Sequence, residues 1–175
     1  MEKQNKSSNK KAGKAAVEKK RLALIRIRGK VHLRGNIGDT LELLNLSTVN
    51  SCVVIDNRPE YKGMITKVND YVTWGEIDTA TFKELMEKRG RLDGNKSIAD
   101  AYLKEKTKYG SIKEFSDAFM KFEANLSDIP EAKKFFRLSP PIGGHGKKGI
   151  KKSNKVGGAL GYRGKEIKEL IERMM

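Results

Sequence analysis

The sequence predicts an α+β protein: a small layered sheet in the order strand, helix, strand, helix, strand, then a helical part, with extended basic segments outside both. Three observations carry this. From position 22, strand-like apolar runs alternate with runs of helical spacing over about 55 residues. All six phenylalanines fall between positions 82 and 136. And 14 of the 15 net positive charges sit in two segments, 1–21 and 137–165, that carry none of these patterns.

The first strand is Leu22-Ala23-Leu24-Ile25-Arg26-Ile27-Arg28-Gly29-Lys30-Val31. Side chains alternate along a strand, which puts Ile25, Ile27 and Val31 on one face and Arg26, Arg28 and Lys30 on the other. Ile37, Leu41 and Leu44 repeat at helical spacing, with Asn36 placed to cap the helix. Ser51 to Asp56 is apolar throughout and reads as a strand buried on both faces or central in the sheet. Asn57-Arg58-Pro59 marks a turn. Tyr61 to Asn69 reads as a helix with Met64, Ile65 and Val68 inward, and Asp70 to Trp74 as a third strand ending at Gly75. The expected body, residues 22–77, is this sheet with helices on one face.

Residues 78–136 are expected to be helical. Asp78 can cap a helix holding Phe82, Leu85 and Met86. Ser97 with Asp100, and Ser111 with Glu114, have capping-box spacing before apolar runs. The phenylalanines in this stretch are read as a second hydrophobic core rather than a ligand box. Residues 137–164 break all periodicity: Pro140-Pro141 opens the stretch, and eight of the chain's 17 glycines lie in it. A long basic loop without secondary structure is expected here, and such loops carry function or stay disordered. Residues 165–175 close the chain with an amphipathic helix whose inward face is Ile167, Leu170, Ile171 and Met174. Residues 1–21, rich in Lys, Asn, Ser and Ala, cannot bury enough surface to fold alone and are expected to be disordered, or a fraying helix near Ala12–Lys20.

Charge narrows the function. Residues 1–21 carry +6, and residues 137–165 carry eight basic residues and no acid, against +2 for the 115 residues between. A charge-balanced body with two cationic arms suits a polyanionic partner. The single cysteine, Cys52, excludes an internal disulfide and fits an intracellular chain. No apolar run exceeds four residues, far short of a bilayer span of roughly 20. No membrane partner, small-molecule substrate or cofactor is expected.

Catalytic and metal signatures are lacking. His32 and His145 are 113 residues apart, and neither makes a zinc spacing with Cys52. Glu84 and Glu87 lie among Lys83 and Lys88, a solvated helix face rather than an acid/base pair. Gly157-Gly158-Ala159-Leu160-Gly161-Tyr162-Arg163-Gly164 lacks both the trailing acid of a dinucleotide fingerprint and the Gly-Lys-Ser/Thr of a P-loop. Gly161-Tyr162-Arg163-Gly164 also fits the G-x-x-G of a KH loop, as most glycine-rich loops would.

The glycines serve another purpose. Interleaved with Lys147, Lys148, Lys151, Lys152, Lys155 and Arg163, they make a strip able to approach a phosphate backbone closely. Eleven of the 12 aromatics lie between positions 61 and 136, leaving only Tyr162 in a basic arm. Single-strand binders stack bases on aromatics, so these arms are expected to read phosphates and RNA shape rather than unpaired bases. Arg26, Arg28 and Lys30 form either a rigid basic contact face or a merely solvated one. Arg34, Arg58 and Lys62 in the body, with Arg137, Gly143, Gly144 and His145 in the loop, complete the candidate RNA-binding set.

Several segments resemble the universal L-thirty family of large-subunit ribosomal proteins, in its long archaeal and eukaryotic form (eukaryotic L-seven). They are Leu22-Ala23-Leu24-Ile25-Arg26-Ile27-Arg28-Gly29, Thr40-Leu41-Glu42-Leu43-Leu44-Asn45-Leu46, Tyr61-Lys62-Gly63-Met64 and Val68-Asn69-Asp70-Tyr71-Val72-Thr73-Trp74-Gly75-Glu76-Ile77. Arg137-Leu138-Ser139-Pro140-Pro141, Gly143-Gly144-His145 and Gly157-Gly158-Ala159-Leu160-Gly161 follow in the family's order. The resemblance implies a ferredoxin-like core with an added helical part, and contacts to large-subunit rRNA near 5S rRNA. It also implies neighbouring ribosomal proteins, and a place on the cytoplasmic ribosome. The 21-residue N-terminal arm is longer than the compact archaeal pattern, and residues 91–136 match loosely, so no contact is carried over there. The leading expectation is a non-enzymatic structural constituent of the large subunit. Its rivals are an RNA chaperone or assembly factor using the same arms, a small α/β enzyme, and a DNA-binding protein.

Overall fold

A computed structural model describes residues 19–146 and 148–175. Most of the N-terminal arm, residues 1–18, and Lys147 of the basic strip lie outside the described residues.

The body begins with β1 (Arg21–Arg26), α1 (Gly35–Leu43), β2 (Ser51–Asp56), α2 (Pro59–Val68) and β3 (Val72–Glu76). It continues with α3 (Thr79–Arg89), α4 (Asp100–Lys106), α5 (Ile112–Met120), β4 (Phe136–Arg137), β5 (Gly161–Tyr162) and α6 (Ile167–Met174). β1 is the centre of a five-stranded sheet of order β4-β2-β1-β3-β5. It pairs antiparallel with β2 (Leu24 opposite Val53) and with β3 (Leu24 opposite Trp74), so β2 and β3 run parallel across it and α2 makes the crossover. β4 joins the outer edge of β2 antiparallel, and β5 joins the outer edge of β3 in parallel. This is an α+β, ferredoxin-like arrangement.

The two helices of residues 22–77, α1 and α2, lie on one face of the sheet as expected, and the helices after β3 cover the other. β1 alternates Leu22 and Leu24 with Ala23 and Ile25, and all four are buried because both faces are covered. On one face Leu22, Leu24, Val53, Ile55 and Val72 pack against Leu41 and Leu44 of α1 and Ile65 and Val68 of α2. On the other, Ala23, Ile25, Cys52 and Val54 pack against α3, α5 and α6. The phenylalanine-rich second core therefore exists, but on the reverse side of the sheet. Phe82 stacks on Phe119 at 4.3 Å between ring centroids and meets Phe136 edge-on at 6.3 Å. Fully buried rings of this kind each contribute about 1.5–3 kcal/mol by leaving water.

Local chemistry sets several boundaries differently from expectation. α1 starts at Gly35, with Arg34 rather than Asn36 in the capping position. β3 starts at Val72 because Asn69 to Tyr71 are spent on a turn, the Tyr71 N–H donating to the Val68 carbonyl at 2.9 Å. The Ser97–Asp100 capping box does not form: Ala99 occupies the cap of α4, and Asp100 Oδ1 accepts from the Ile112 N–H at 2.8 Å, serving the next helix instead. At α5 the box is half made. Ser111 Oγ accepts from the Glu114 N–H at 3.3 Å, and the Glu114 carboxylate accepts from Gly110. α6 buries Ile167, Leu170, Ile171 and Met174 as its spacing predicts.

Residues 137–164 are not structureless. The segment leaves the sheet at β4 and follows the end of α6, where the Ser139 and Ile142 N–H groups donate to Met174 and Arg173 carbonyls at 2.9 and 3.0 Å. It then makes a 3-10 turn at Asn154–Val156 and re-enters the sheet at β5. The Lys152 carbonyl accepts from both the Ala159 and Leu160 N–H groups, at 3.0 and 3.1 Å, and Ala159 and Leu160 are buried in the core. Periodicity fails here because the stretch is held by turns and isolated pairings, which leave no repeating pattern in sequence.

Candidate nucleic-acid interface

The expected basic strand face does not form. β1 ends at Arg26, and Arg26 is only 1% exposed. Its Nη1 donates to the Leu46 and Ser47 carbonyls at 2.7 and 3.0 Å and its Nε to the Arg28 carbonyl at 2.9 Å. Burial lowers the guanidinium's pKa, with Glu42 and Tyr71 opposing. Arg26 therefore closes the chain end after α1 instead of facing a partner. Beyond it the backbone leaves the sheet, so Arg28 and Lys30 project separately and Val31 is exposed rather than inward. Arg28 lies over the Tyr71 ring, 4.8 Å from its centroid, and donates to the Asp70 carbonyl at 3.1 Å. Lys30 is exposed, 3.9 Å from Glu42.

The basic segment presents most of its cations outward. Lys148, Lys151, Lys152 and Lys155 are all exposed. Gly143 and Gly144 have φ of 78° and 76°, a left-handed turn that glycine adopts freely, and the Gly144 carbonyl accepts from Arg173 at 3.4 Å. His145 is half-buried here. Burial, then the charges of Arg163 and Arg173, hold its imidazolium below the ordinary histidine range. His145 Nδ1 is buried without a hydrogen-bond partner among the described residues. Arg163 turns inward: Nε donates to Thr73 Oγ1 at 3.1 Å and Nη2 to the Gly158 and Ala159 carbonyls at 3.4 and 3.3 Å. Its guanidinium pins the returning segment to β3, and burial lowers its pKa.

The remaining candidates are exposed but dispersed. Arg34 precedes α1, Arg137 lies on β4, and Lys62 is on α2. Arg58, just before α2, is 2.9 Å from Asp56 Oδ2. Asp56 is shared with Arg21, whose buried guanidinium also donates to the Phe119 and Ala124 carbonyls at 3.0 and 3.1 Å. Arg58 and Lys62 therefore sit at one end of the sheet, and Arg28, Arg137 and the basic segment toward the other. Arg26 is drawn into the fold.

Three features escape sequence reasoning. Arg21 reads as the last residue of a cationic arm, yet it is a buried strand residue between the Phe119 and Phe122 rings. Arg173, on a terminal helix, stays exposed but donates to the Gly144 carbonyl, next to His145. Tyr162, the lone aromatic of a basic arm, lies against Trp74 with ring centroids 4.6 Å apart. The pairing of β5 with β3 creates that last contact, and no local signal announces it.

Among the described residues no cluster of His, Cys, Asp and Glu could hold a metal ion, and no helix is long and apolar enough to cross a membrane. Residues 22–72 match the family model described as ribosomal protein L30p/L7e. A protein of Methanopyrus kandleri described as large ribosomal subunit protein uL30 is 52% identical over 149 residues, covering 85% of this chain and 100% of the relative. Proteins of the same description from Methanosphaera stadtmanae and Methanocorpusculum labreanum are 47% and 43% identical, each over 87% of this chain and 99% and 98% of the relative. With identity at this level along nearly the whole of each relative, and with the sheet and basic segment in place, the chain belongs to the ribosomal protein L30p/L7e family.

Proposed function

We propose that the chain lies against folded large-subunit rRNA, in the neighbourhood of 5S rRNA, with the segment between β4 and β5 as its principal contact. As a member of this family it is a structural constituent of the large ribosomal subunit in the cytoplasm and not an enzyme. Its neighbours there are rRNA and other ribosomal proteins. The single observation that supports the contact is the four exposed lysines, Lys148, Lys151, Lys152 and Lys155, on a glycine-rich segment without acids. Lys147, Arg28, Lys30, Arg34, Arg58, Lys62 and Arg137 add phosphate contacts in this reading, and Gly143 and Gly144 let the backbone come close. Arg26 and Arg163 contribute through the fold that presents them.

Counterion release makes such binding steeply salt-dependent; by analogy with duplex DNA, each neutralised phosphate steepens log affinity against log salt by about 0.9. Changing Lys148, Lys151, Lys152 and Lys155 together to Gln is expected to flatten the slope by about 3.6 and leave the fold intact. A filter-binding titration on an rRNA fragment measures it, and an unchanged slope would refute the contact. Deleting residues 143–158 is the poorer experiment, because it removes the Lys152 carbonyl that holds Ala159 and Leu160. An assembly factor using the same arms would be found on precursor particles; sedimentation with salt-washed mature large subunits distinguishes it.

A further inference from the structure

Tyr162 and Trp74 come from adjacent strands at the β5 edge, with their ring planes inclined at 50°. Both polar ends are tied. The Trp74 indole N–H donates to Asn69 Oδ1 and the Tyr162 hydroxyl to the Glu76 carboxylate, each at 3.3 Å. The rings are thereby fixed in orientation, while Tyr162 remains 44% exposed. The indole also sets the direction of the exposed Asn69 amide: with Oδ1 engaged, its two N–H donors point away from Trp74.

The surroundings are cationic. Lys20 lines one hollow with Glu76, the carboxylate that the Tyr162 hydroxyl meets. The Ser153 hydroxyl lies beside Gly161, and exposed Lys151, Lys152 and Lys155 flank that serine in the chain. The exposed lysines near this edge in the chain favour a nucleotide, which brings a ring to stack and phosphates to neutralise them, over an apolar protein segment. The separation of aromatics from basic arms in sequence is thus undone by the pairing of β5 with β3.

We propose that Trp74 and Tyr162 form a stacking platform for one unpaired base of rRNA, with the Asn69 amide donating to an acceptor on that base. The platform rests on the rRNA-binding reading above and adds base recognition to phosphate contact. Trp74 is the chain's only tryptophan, so its emission reports the site directly. Full-length protein is titrated with an RNA hairpin bearing unpaired purines and with a fully paired duplex of the same stem, following both filter retention and tryptophan emission. The hairpin is expected to quench Trp74 while the duplex is retained without quenching. Tyr162→Ala should weaken hairpin binding on the order of tenfold and duplex binding little. Tyr162→Phe, which keeps the ring, should restore hairpin affinity, with circular dichroism confirming both variants folded. Equal quenching by both RNAs, equal loss of both with Tyr162→Ala, or retention with no quenching would overturn the platform alone. No retention of either RNA would overturn the rRNA-binding reading beneath it.

Discussion

Arg21 and Arg26 occupy the two ends of β1 and its two opposite faces, and each buries its guanidinium against backbone carbonyls at or beyond the end of a different helix. Arg21 reaches Phe119 and Ala124 at the end of α5, and Arg26 reaches Leu46 and Ser47 beyond α1. Here the central strand carries a long cationic donor to each covering layer.

Arg26→Met keeps the aliphatic stem but strands the Leu46, Ser47 and Arg28 carbonyls. The expected loss is about 1–3 kcal/mol in urea unfolding. Affinity for an rRNA fragment should not change, because the guanidinium is buried. Weakened RNA binding with full stability would reverse the assignment.

Asp56→Ala leaves Arg21 buried beside Phe119 and Phe122 without its carboxylate. Removing one partner of a buried pair costs about 3–5 kcal/mol. The two carbonyl acceptors that Arg21 retains reduce the expected cost to about 2–3 kcal/mol, read from the shift in denaturation midpoint.

Gly75 marks the closest approach of β3 to the start of α6. A Cβ added there would overlap the Gly164 carbonyl and lie 2.9 Å from Ile167 Cβ. Gly75→Ala should therefore cost about 1–3 kcal/mol by forcing the two apart. Gly29→Ala, with open space around it, is the control and should be near neutral. Thermal denaturation of both variants decides the matter.

His145 gives the protein a pH dependence of definite sign. Its folded pKa is lowered, first by burial and then by Arg163 and Arg173. The unfolded chain therefore takes up the proton first as pH falls through the ordinary histidine value near 6.5. The contribution is full above that value and declines as pH drops through it toward the folded pKa. His145→Gln should remove this acid-side decline, and a histidine NMR titration should show a midpoint below the ordinary value. A midpoint at or above it would contradict the burial.

Burial pushes the Cys52 thiol up to about 12. A thiol reagent at pH 8 should thus leave the folded protein unlabelled and react on unfolding in urea. Rapid labelling of native protein would show that the sheet opens on the reaction timescale.

Much of the body was legible because its pattern is local. The run Cys52-Val53-Val54-Ile55 declared a strand covered on both faces, and Ile167, Leu170, Ile171 and Met174 declared the packed side of α6. What escaped depends on distant partners. Arg26 reads as solvent-facing until the loop after α1 is seen to supply its acceptors. The same holds for Asp100, whose carboxylate serves Ile112 rather than its own helix. The candidate interface divided in the same way. Exposed lysines at 148–155 are visible from composition, whereas the Trp74–Tyr162 contact arises from a parallel pairing 88 residues apart in the chain.

The cationic segment begins on one outer strand of the sheet and ends on the other, so β4 and β5 each cover two residues of the margins that β2 and β3 would otherwise leave bare. A single stretch of chain thus shortens both edges open to pairing with other polypeptides, a hazard for any open sheet in a crowded cell. Its anchored ends also restrict where the lysines can wander. A hoop held at both feet forfeits less freedom on docking than a loose tail of equal charge, and keeps more of its attraction as affinity.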